Sequence, residues 1–283
     1  MTIDFIQHNI RLADGRETRP GSGPTMDQAP WFVSAARILN TVFPGDKSRL
    51  RIADLGCLEG GYAVEFARMG FQSVGIDVRE TNIAACRYVK ENTELENLSF
   101  IRDDAWNVEQ HGPFDAIFCC GLFYHLDRPR QFLKLLSAST RRLLILQTHF
   151  ATADSTTLLM LPWLVRAALA RVGGKSSVVR YVLSRMTEHD LLKGRWYREF
   201  RNAKLYAARE QLREASWDNV NSFWVRREDL LQTIQDVGFD IVMEQFDGLG
   251  PNIRDSMLTG YYRQHNRGTF LGIKSSTDGR TQR

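Results

Sequence analysis

The sequence has few of the residues that mark metal-bound or disulfide-linked proteins. Its 283 residues include only four cysteines, and none forms a C-x-x-C pair or lies near a histidine cluster at metal-ligand spacing. Structural zinc sites need such spacing, so we predict no metal site. Three of the four fall in or beside apolar runs, which favours free thiols in a reducing compartment. The four are Cys57, Cys86, Cys119 and Cys120.

Long apolar runs and a strong charge of one sign are also missing. The longest apolar stretch, residues 158–170, is interrupted by Pro162 and Arg166, so it is too short and too broken to span a bilayer. No signal peptide is visible at the N-terminus. The formal charge of +4 is concentrated in residues 166–213, where a solvated helical face explains it better than an RNA surface. We therefore expect a cytoplasmic protein without membrane contact.

From residue 50 onwards, short β-rich runs alternate with helical patterns. Connections of helix length between short strands predict a parallel α/β sheet with right-handed crossovers. Residues 114–120 are apolar along nearly their whole length, as a central strand buried on both faces should be. The predicted elements are strands at 51–55, 72–77, 98–102, 114–120, 142–147, 240–246 and 269–274, and helices at about 62–69, 80–92, 128–137 and 227–237.

This pattern divides the chain into parts. Residues 49–149 and 224–275 form the predicted α/β core. Residues 150–223 are too many for a plain crossover, so we predict an inserted helical cap that forms the substrate region. Residues 1–48 are predicted to be a covering segment with a helix at about 28–40, and the polar residues 276–283 a flexible tail.

The strongest motif is a glycine-rich loop, Asp54-Leu-Gly56-Cys-Leu58-Glu-Gly60-Gly61, directly between a strand and a helix. Nicotinamide and flavin enzymes use G-x-G-x-x-G at this place, where the middle glycine lets the backbone approach a pyrophosphate. Here Leu58 holds the middle position, which disfavours a dinucleotide.

Aspartates follow three successive predicted strands. Asp54 and the N–H groups at the helix start suit a zwitterionic amino acid, Asp77 suits ribose hydroxyls, and Asp104 suits an adenine amino group. Any one of them has an equally good explanation as a helix N-cap or turn residue. Together, at the carboxyl edge of a parallel sheet, they favour a single phosphate-free ligand such as S-adenosylmethionine.

With these motifs, the sequence resembles the class I S-adenosylmethionine-dependent methyltransferases. The resemblance covers about residues 50–149 and 222–274 and rests on the glycine loop, Gly75-x-Asp77, Asp104-Ala105 and residues 121–129. It implies a Rossmann-like, seven-stranded, mostly parallel sheet in the order 3-2-1-4-5-7-6, with strand seven antiparallel. It also implies the cofactor S-adenosylmethionine and the product S-adenosylhomocysteine (SAH).

The family has glycine at the position of Leu58, so the middle turn of the loop is expected to differ. The predicted cofactor-binding residues are Asp54, Gly56, Cys57, Gly60, Tyr62, Asp77, Val78, Asp104, Ala105, Trp106 and Gly121.

Two local resemblances point to different acceptors. Residues 121–129, Gly-Leu-Phe-Tyr-His-Leu-Asp-Arg-Pro, resemble the tRNA wobble-uridine carboxymethyl-transferring enzymes. Residues 194–200, Gly-Arg-Trp-Tyr-Arg-Glu-Phe, resemble little-characterised bacterial methyltransferases of small molecules. An insertion rich in aromatic residues favours an enclosed small ligand over a flat macromolecular contact.

Candidate catalytic residues follow the fourth predicted strand. His125 is suited to act as a general base and Tyr124 to contact the acceptor, although Tyr124 packing under the cofactor and His125 capping the next helix explain them equally well. His125 and the nearby Asp127 do not by themselves make a metal site. The predicted substrate-binding residues are Trp31, His149, Trp196, Tyr197 and Arg198, of which the aromatic side chains could equally form the core of the insertion.

The sequence therefore predicts a methyltransferase that acts on an oxygen or nitrogen of a small organic acceptor. Two alternatives stay open. One is a transferase that modifies a tRNA base, which requires a continuous basic stripe. The other is a non-catalytic S-adenosylmethionine-binding partner protein, because the acidic constellation indicates binding only.

Overall fold

The computed structural model describes residues 3–152, 183–200, 202–245 and 266–275. Its main element is a seven-stranded sheet in the order β3-β2-β1-β4-β5-β10-β9. β10 runs antiparallel to both of its neighbours, and β1 to β5 are mutually parallel. The predicted strand order and the antiparallel last strand are confirmed. The strands are β1 (Arg51–Leu55), β2 (Gln72–Asp77), β3 (Leu98–Arg102), β4 (Phe114–Cys120), β5 (Thr140–His149), β9 (Ile241–Gln245) and β10 (Arg267–Ile273).

Helices cover both faces of this sheet. On one face Phe132 and Leu136 of α5 pack with Phe114 of β4, and on the other Phe32 of α1 and Phe66 pack with further strand residues. Strands at the centre of a sheet covered on both faces are buried throughout, which explains the continuous apolar run of β4. The helices are α1 (Pro30–Val42), α2 (Gly61–Arg68), α3 (Glu80–Glu91), α4 (Val108–His111), α5 (Pro129–Ser139), α6 (Ala203–Ala207) and α7 (Arg227–Asp236).

The described part of the inserted region differs from the helical cap that was predicted. In the part of residues 150–223 that the structure describes, the main element is a three-stranded antiparallel sheet, and the one α-helix is the five-residue α6. Its strands are β6 (Thr187–His189), β7 (Leu192–Arg198) and β8 (Asn221–Val225). The aromatic side chains of β7 and β8 pair across the sheet, which stabilises strands here in place of the predicted helices.

The small sheet is attached to the α/β core by backbone hydrogen bonds. The N–H of Phe223 donates to the carbonyl of Leu126 at 2.8 Å, and the N–H of Ala151 donates to the carbonyl of Val225 at 2.8 Å. These bonds place β8 beside the turn that follows β4. The predicted cap residues 153–182 and the predicted tail 276–283 lie outside the described residues. Among the described helices, none is long and apolar enough to cross a membrane.

Candidate active site

A cavity of about 870 Å³ opens at the carboxyl edge of the parallel strands. Turns that follow β1, β2, β3 and β4 form its floor. The N-terminal segment contributes Asp4 and His8 on one side, and the inserted region contributes residues 211–218 and Trp224 on another. Ligands of open α/β sheets bind at this edge, where the strand order reverses beside β1. The cavity is therefore the candidate active site.

Asp77, the last residue of β2, lines the cavity beside the glycine loop. Its carboxylate accepts hydrogen bonds from the N–H groups of Leu58 at 3.0 Å and Arg79 at 2.9 Å, and from the side-chain amide of Asn82 at 3.1 Å. Burial raises the pKa of Asp77. These donors hold the carboxylate at the cavity wall, where it can accept hydrogen bonds from the hydroxyls of a ligand.

Leu58 has an unusual backbone conformation for a branched residue. Its φ is +51°, in the left-handed region that favours glycine, and its side chain lines the cavity. This conformation costs a non-glycine residue about 1 kcal/mol. The hydrogen bond from the N–H of Leu58 to the carboxylate of Asp77 helps to stabilise this backbone conformation. A leucine side chain at this point occupies the space through which a pyrophosphate would approach the backbone, which agrees with the exclusion of a dinucleotide.

Three other residues of the predicted loop lie behind the cavity wall. Asp54 is buried, accepts the N–H of Ala63 at 3.2 Å, and has its pKa raised to about 8 by burial. The backbone of Gly60 has a φ of +79°, and a Cβ there would collide with Phe100. Cys57 is buried with its sulfur 3.9 Å from that of Cys86. These residues shape the loop from behind.

The turn after β3 supplies the next part of the wall. Asp103, Asp104 and Ala105 line the cavity, and Asp104 also accepts the N–H of Trp106 at 3.0 Å. Trp106 itself turns away, with its ring 5.0 Å from that of Phe132 and under the guanidinium of Arg128. The indole of Trp106 therefore lies outside the cavity wall, and the carboxylate of Asp103 is held by the side chains of Asn107 and His111.

The N-terminal segment lies across the glycine loop. The fully buried carboxylate of Glu59 accepts the backbone N–H groups of Ile6, Gln7 and His8. His8 in turn accepts the N–H of Gly61 through Nδ1 at 3.1 Å. Burial, together with nearby arginines, lowers the pKa of His8 to about 3, so this imidazole is neutral and can act as an acceptor.

Two arginines connect these loops to the inserted region. Arg213 forms a 2.9 Å ion pair with Glu59 and donates to the side chain of Asn82 at 2.7 Å. Arg79, directly after β2, donates to the carbonyls of Arg209, Ala215 and Ser216. Residues 209–216 of the inserted region are thereby attached to the turns after β1 and β2, at the side of the cavity that Asp77 lines.

Aromatic side chains form the other end of the cavity. His149 stacks on Trp224 with 4.6 Å between ring centroids and an angle of 10° between planes. The ring centroids of Tyr124 and His149 are 4.5 Å apart, and those of Tyr197 and Trp224 are 5.5 Å apart. Arg267 of β10 lies over Tyr124 and donates to Gln147 at 2.9 Å. This group joins the turn after β4 to the inserted sheet.

His125 lies between the two ends, in a short 3₁₀ turn over Phe123–His125. Its Nδ1 is 2.8 Å from Oε1 of Glu199, and the two side chains are 14% and 3% exposed. Ser222 donates to the same carboxylate oxygen at 2.8 Å. Sequence reasoning missed Glu199, which follows β7 and is 74 residues away from His125.

The structure brings twelve of the predicted site residues to one cavity. They are Trp31, Gly56, Tyr62, Asp77, Val78, Asp104, Ala105, Gly121, Tyr124, His125, His149 and Tyr197. The other six predicted site residues do not line this cavity: Asp54, Cys57, Gly60, Trp106, Trp196 and Arg198. Trp196 packs against His189 and Phe223 in the small sheet. Among the described residues, no three side chains are grouped so that they could hold a metal ion.

The methyltransferase domain family matches residues 52–143. This chain is 29% identical to the ubiquinone biosynthesis O-methyltransferase of Rickettsia canadensis over 89 residues, which cover 31% of this chain and 37% of that protein. It is 32% identical to the ubiquinone biosynthesis O-methyltransferase of Rhodopseudomonas palustris over 113 residues, which cover 39% of this chain and 41% of that protein. The chain thus aligns with less than half the length of these curated relatives.

Solved structures share the fold over most of the chain. The N-terminal domain of EvdMO1, crystallised with SAH and D-fucose, superposes with a TM-score of 0.61 at 20% identity, over 95% of this chain and 91% of that one. The same domain with SAH bound gives a TM-score of 0.58 at 20% identity, over 88% and 82%. Residues 52–143 are therefore similar to a methyltransferase domain, and the chain has the same fold as these solved structures.

Proposed function

We propose that this protein transfers a methyl group from S-adenosylmethionine to an oxygen or nitrogen of a small organic acceptor held in the described cavity. One observation carries this proposal: the same cavity has carboxylates at the strand ends on one side and His125 with its carboxylate partner on the other. Its volume of about 870 Å³ is in the range of small-ligand sites.

The residues fit the cofactor at three places. Asp77 is available to ribose hydroxyls, and Asp104 with Ala105 to an adenine ring. The N-terminal segment and Arg213 enclose the glycine loop on the side where the amino acid part would lie. When bound, the cofactor supplies a methyl group activated by a sulfonium. The protein has to align the acceptor atom with that group, exclude water and accept a proton.

The aromatic end of the cavity supports a small acceptor. Tyr124, His149 and Trp224 are packed against one another, and all three line the cavity together with His125. The named relatives are O-methyltransferases of ubiquinone biosynthesis, which favours a hydroxyl acceptor. A tRNA substrate is less favoured because the carboxylates that line the cavity outnumber the arginines, seven to three. With its free thiols, the chain fits a cytoplasmic location.

A transfer assay with radiolabelled methyl tests the proposal. The protein is incubated with labelled S-adenosylmethionine and a panel of phenols, catechols, sugars such as D-fucose, matched amines, and bulk tRNA. We expect label on at least one small acceptor and equimolar SAH. Label on tRNA alone, weakened steeply by salt, would support the base-modifying alternative. Cofactor binding without transfer to any acceptor would support the non-catalytic alternative.

A further inference from the structure

We propose that Glu199 is a positioning residue that prepares His125 as a base, and that the acceptor atom is a hydroxyl oxygen that must lose its proton. The inference rests on the proposed methyl transfer and deepens it. It concerns the contribution of the inserted region, since Glu199 follows β7 while His125 follows β4 in the methyltransferase core.

The geometry is that of an oriented imidazole. Oε1 of Glu199 is 2.8 Å from Nδ1 of His125, and the hydroxyl of Ser222 fixes the same oxygen at 2.8 Å. The N–H of Glu199 donates to the carbonyl of Val220 at 2.9 Å, which holds the backbone. Both His125 and Glu199 reach the cavity wall although their side chains are largely buried.

The carboxylate determines which nitrogen of His125 carries the proton. A carboxylate accepts hydrogen bonds, so Nδ1 is the donor, and in the neutral ring Nε2 keeps its lone pair. No described residue hydrogen-bonds Nε2. A carboxylate in this position also stabilises the imidazolium that forms when Nε2 takes a proton, as in the serine-hydrolase triad.

The proton transfer balances as follows. The hydroxyl O–H bond breaks and its proton moves to Nε2 of His125, while the oxygen forms a bond to the methyl carbon. The carbon–sulfur bond breaks and its electron pair stays on sulfur, which becomes the neutral thioether of SAH. The positive charge of the sulfonium is thereby replaced by that of the imidazolium beside Glu199, and solvent later takes the proton.

A merely structural tie between the inserted region and the core does not explain the carboxylate. Two other bonds already join the inserted region to this turn: the hydroxyl of Ser216 donates to the carbonyl of His125 at 3.1 Å, and the N–H of Phe223 donates to that of Leu126 at 2.8 Å. A buried carboxylate costs desolvation energy, and a base is useful only to an acceptor that carries a proton. Alcohols and phenols need that base, whereas thioethers and tertiary amines do not.

Nuclear magnetic resonance on the full chain tests the positioning role without any acceptor. Histidines are labelled with ¹⁵N, and His125 is assigned by its loss in His125→Gln. We expect neutral His125 to be protonated at Nδ1 in the wild type and to shift towards the Nε2-protonated form, which free histidine prefers, in Glu199→Ala. An unchanged tautomer in Glu199→Ala, or an Nε2-protonated ring in the wild type, would overturn the positioning role.

Kinetics with whichever panel acceptor takes the label tests the chemical part. Glu199→Ala should lower kcat about 10- to 100-fold, with the KM for that acceptor and the SAH affinity changed less than twofold. His189→Gln, which changes a bond between the small sheet and the carbonyl of Asp127 but leaves the carboxylate, should change kcat less than threefold. Label found on nitrogen and on no hydroxyl would overturn the assignment of the acceptor atom. Calorimetry with SAH and the label screen report on the proposed function itself, so its failure is distinguishable from a failure of the Glu199 role.

Discussion

The two ends of the cavity are built in different ways. At the cofactor end, the polar groups come from turns directly after parallel strands, and Asp77 receives one of its hydrogen bonds from Arg79 only two residues away. At the acceptor end, His125 depends on Glu199, 74 residues further along the chain, and Tyr124 packs against His149 and Trp224 of separate strands. The strand-end turns of the proposed cofactor end are set by the local sequence, whereas the proposed acceptor end is assembled by tertiary contacts.

This difference separates two functions. In our proposal the strand ends hold the cofactor, and the small sheet shapes the part of the cavity that holds the acceptor. Arg79 and Arg213 attach the inserted region to the strand-end turns, so a change in the inserted region should reach the cofactor end through them. The following variants test whether cofactor binding and turnover can be changed independently of each other.

The largest effect is expected at His125. Replacing His125 by glutamine removes the base and should lower kcat by about 10²- to 10⁴-fold, while SAH affinity stays within twofold because the strand ends are untouched. Rates and calorimetry measure the two quantities. His189→Gln is the matched control, since His189 of the small sheet bonds the carbonyl of Asp127 outside the cavity wall and its replacement should keep near-normal rates. An equal loss of SAH affinity in His125→Gln would show that the two ends are not separate.

Arg213→Met tests the connection between the ends. Removing Arg213 leaves Glu59 buried with its charge unpaired, which should lower the free energy of unfolding by about 3 kcal/mol and weaken SAH binding. Denaturant unfolding and calorimetry measure the two effects. The double variant Arg213→Met/Glu59→Gln should recover part of the stability. If the loss of the double variant relative to the wild type equalled the sum of the two single losses, the two residues would not be coupled.

The two strand-end aspartates should differ from each other. Asp77→Asn replaces a charged acceptor on the cavity wall and should weaken S-adenosylmethionine binding about 10- to 100-fold. Asp54→Asn changes a carboxyl behind the wall and should weaken binding less than fivefold, because asparagine can still accept the N–H of Ala63. Calorimetric titration of both variants with S-adenosylmethionine measures the two losses of affinity. Equal losses would mean that Asp54 also contacts the ligand.

The smallest effect concerns two neighbours on β7. Tyr197 lines the cavity, and Arg198 is exposed and donates to the carbonyl of Phe200. Tyr197→Ala should raise the KM for the acceptor about fivefold, as expected for the loss of one partly buried aromatic contact of about 1 kcal/mol. Arg198→Ala should change this KM less than twofold. A larger increase of this KM in Arg198→Ala than in Tyr197→Ala would place the acceptor outside the described cavity.

The sequence predicted the parallel strands well because local signals define them. The predicted bounds of β1, β2, β3 and β4 agree with the structure, since each is a short apolar run bounded by glycine or aspartate. The turns after those strands then place Asp77 and Asp104 at one edge. Asp54 was also predicted at the ligand, but a strand-end position alone does not say whether a side chain points into the cavity or into the loop.

The acceptor end was predicted less well. Helical patterns in residues 150–223 led to a predicted helical insertion, whereas cross-strand pairs such as Trp196 with Phe223 stabilise a sheet there. Gly194 offered a signal that was not used: a Cβ there would lie 2.4 Å from the carbonyl of Trp224, and glycine in a strand often marks such close approach. No sequence pattern pairs Glu199 with His125, because only the tertiary fold brings β7 beside the turn after β4.

Calorimetric titration with S-adenosylmethionine and SAH, with NAD as the control, tests the central claim most directly. The account predicts micromolar binding of both methyl-cycle ligands and none of NAD, because carboxylates at the strand ends and Leu58 in the glycine loop suit a phosphate-free nucleoside. Binding of NAD, or no binding of either methyl-cycle ligand by folded protein, would contradict the assignment of this cavity as the cofactor site.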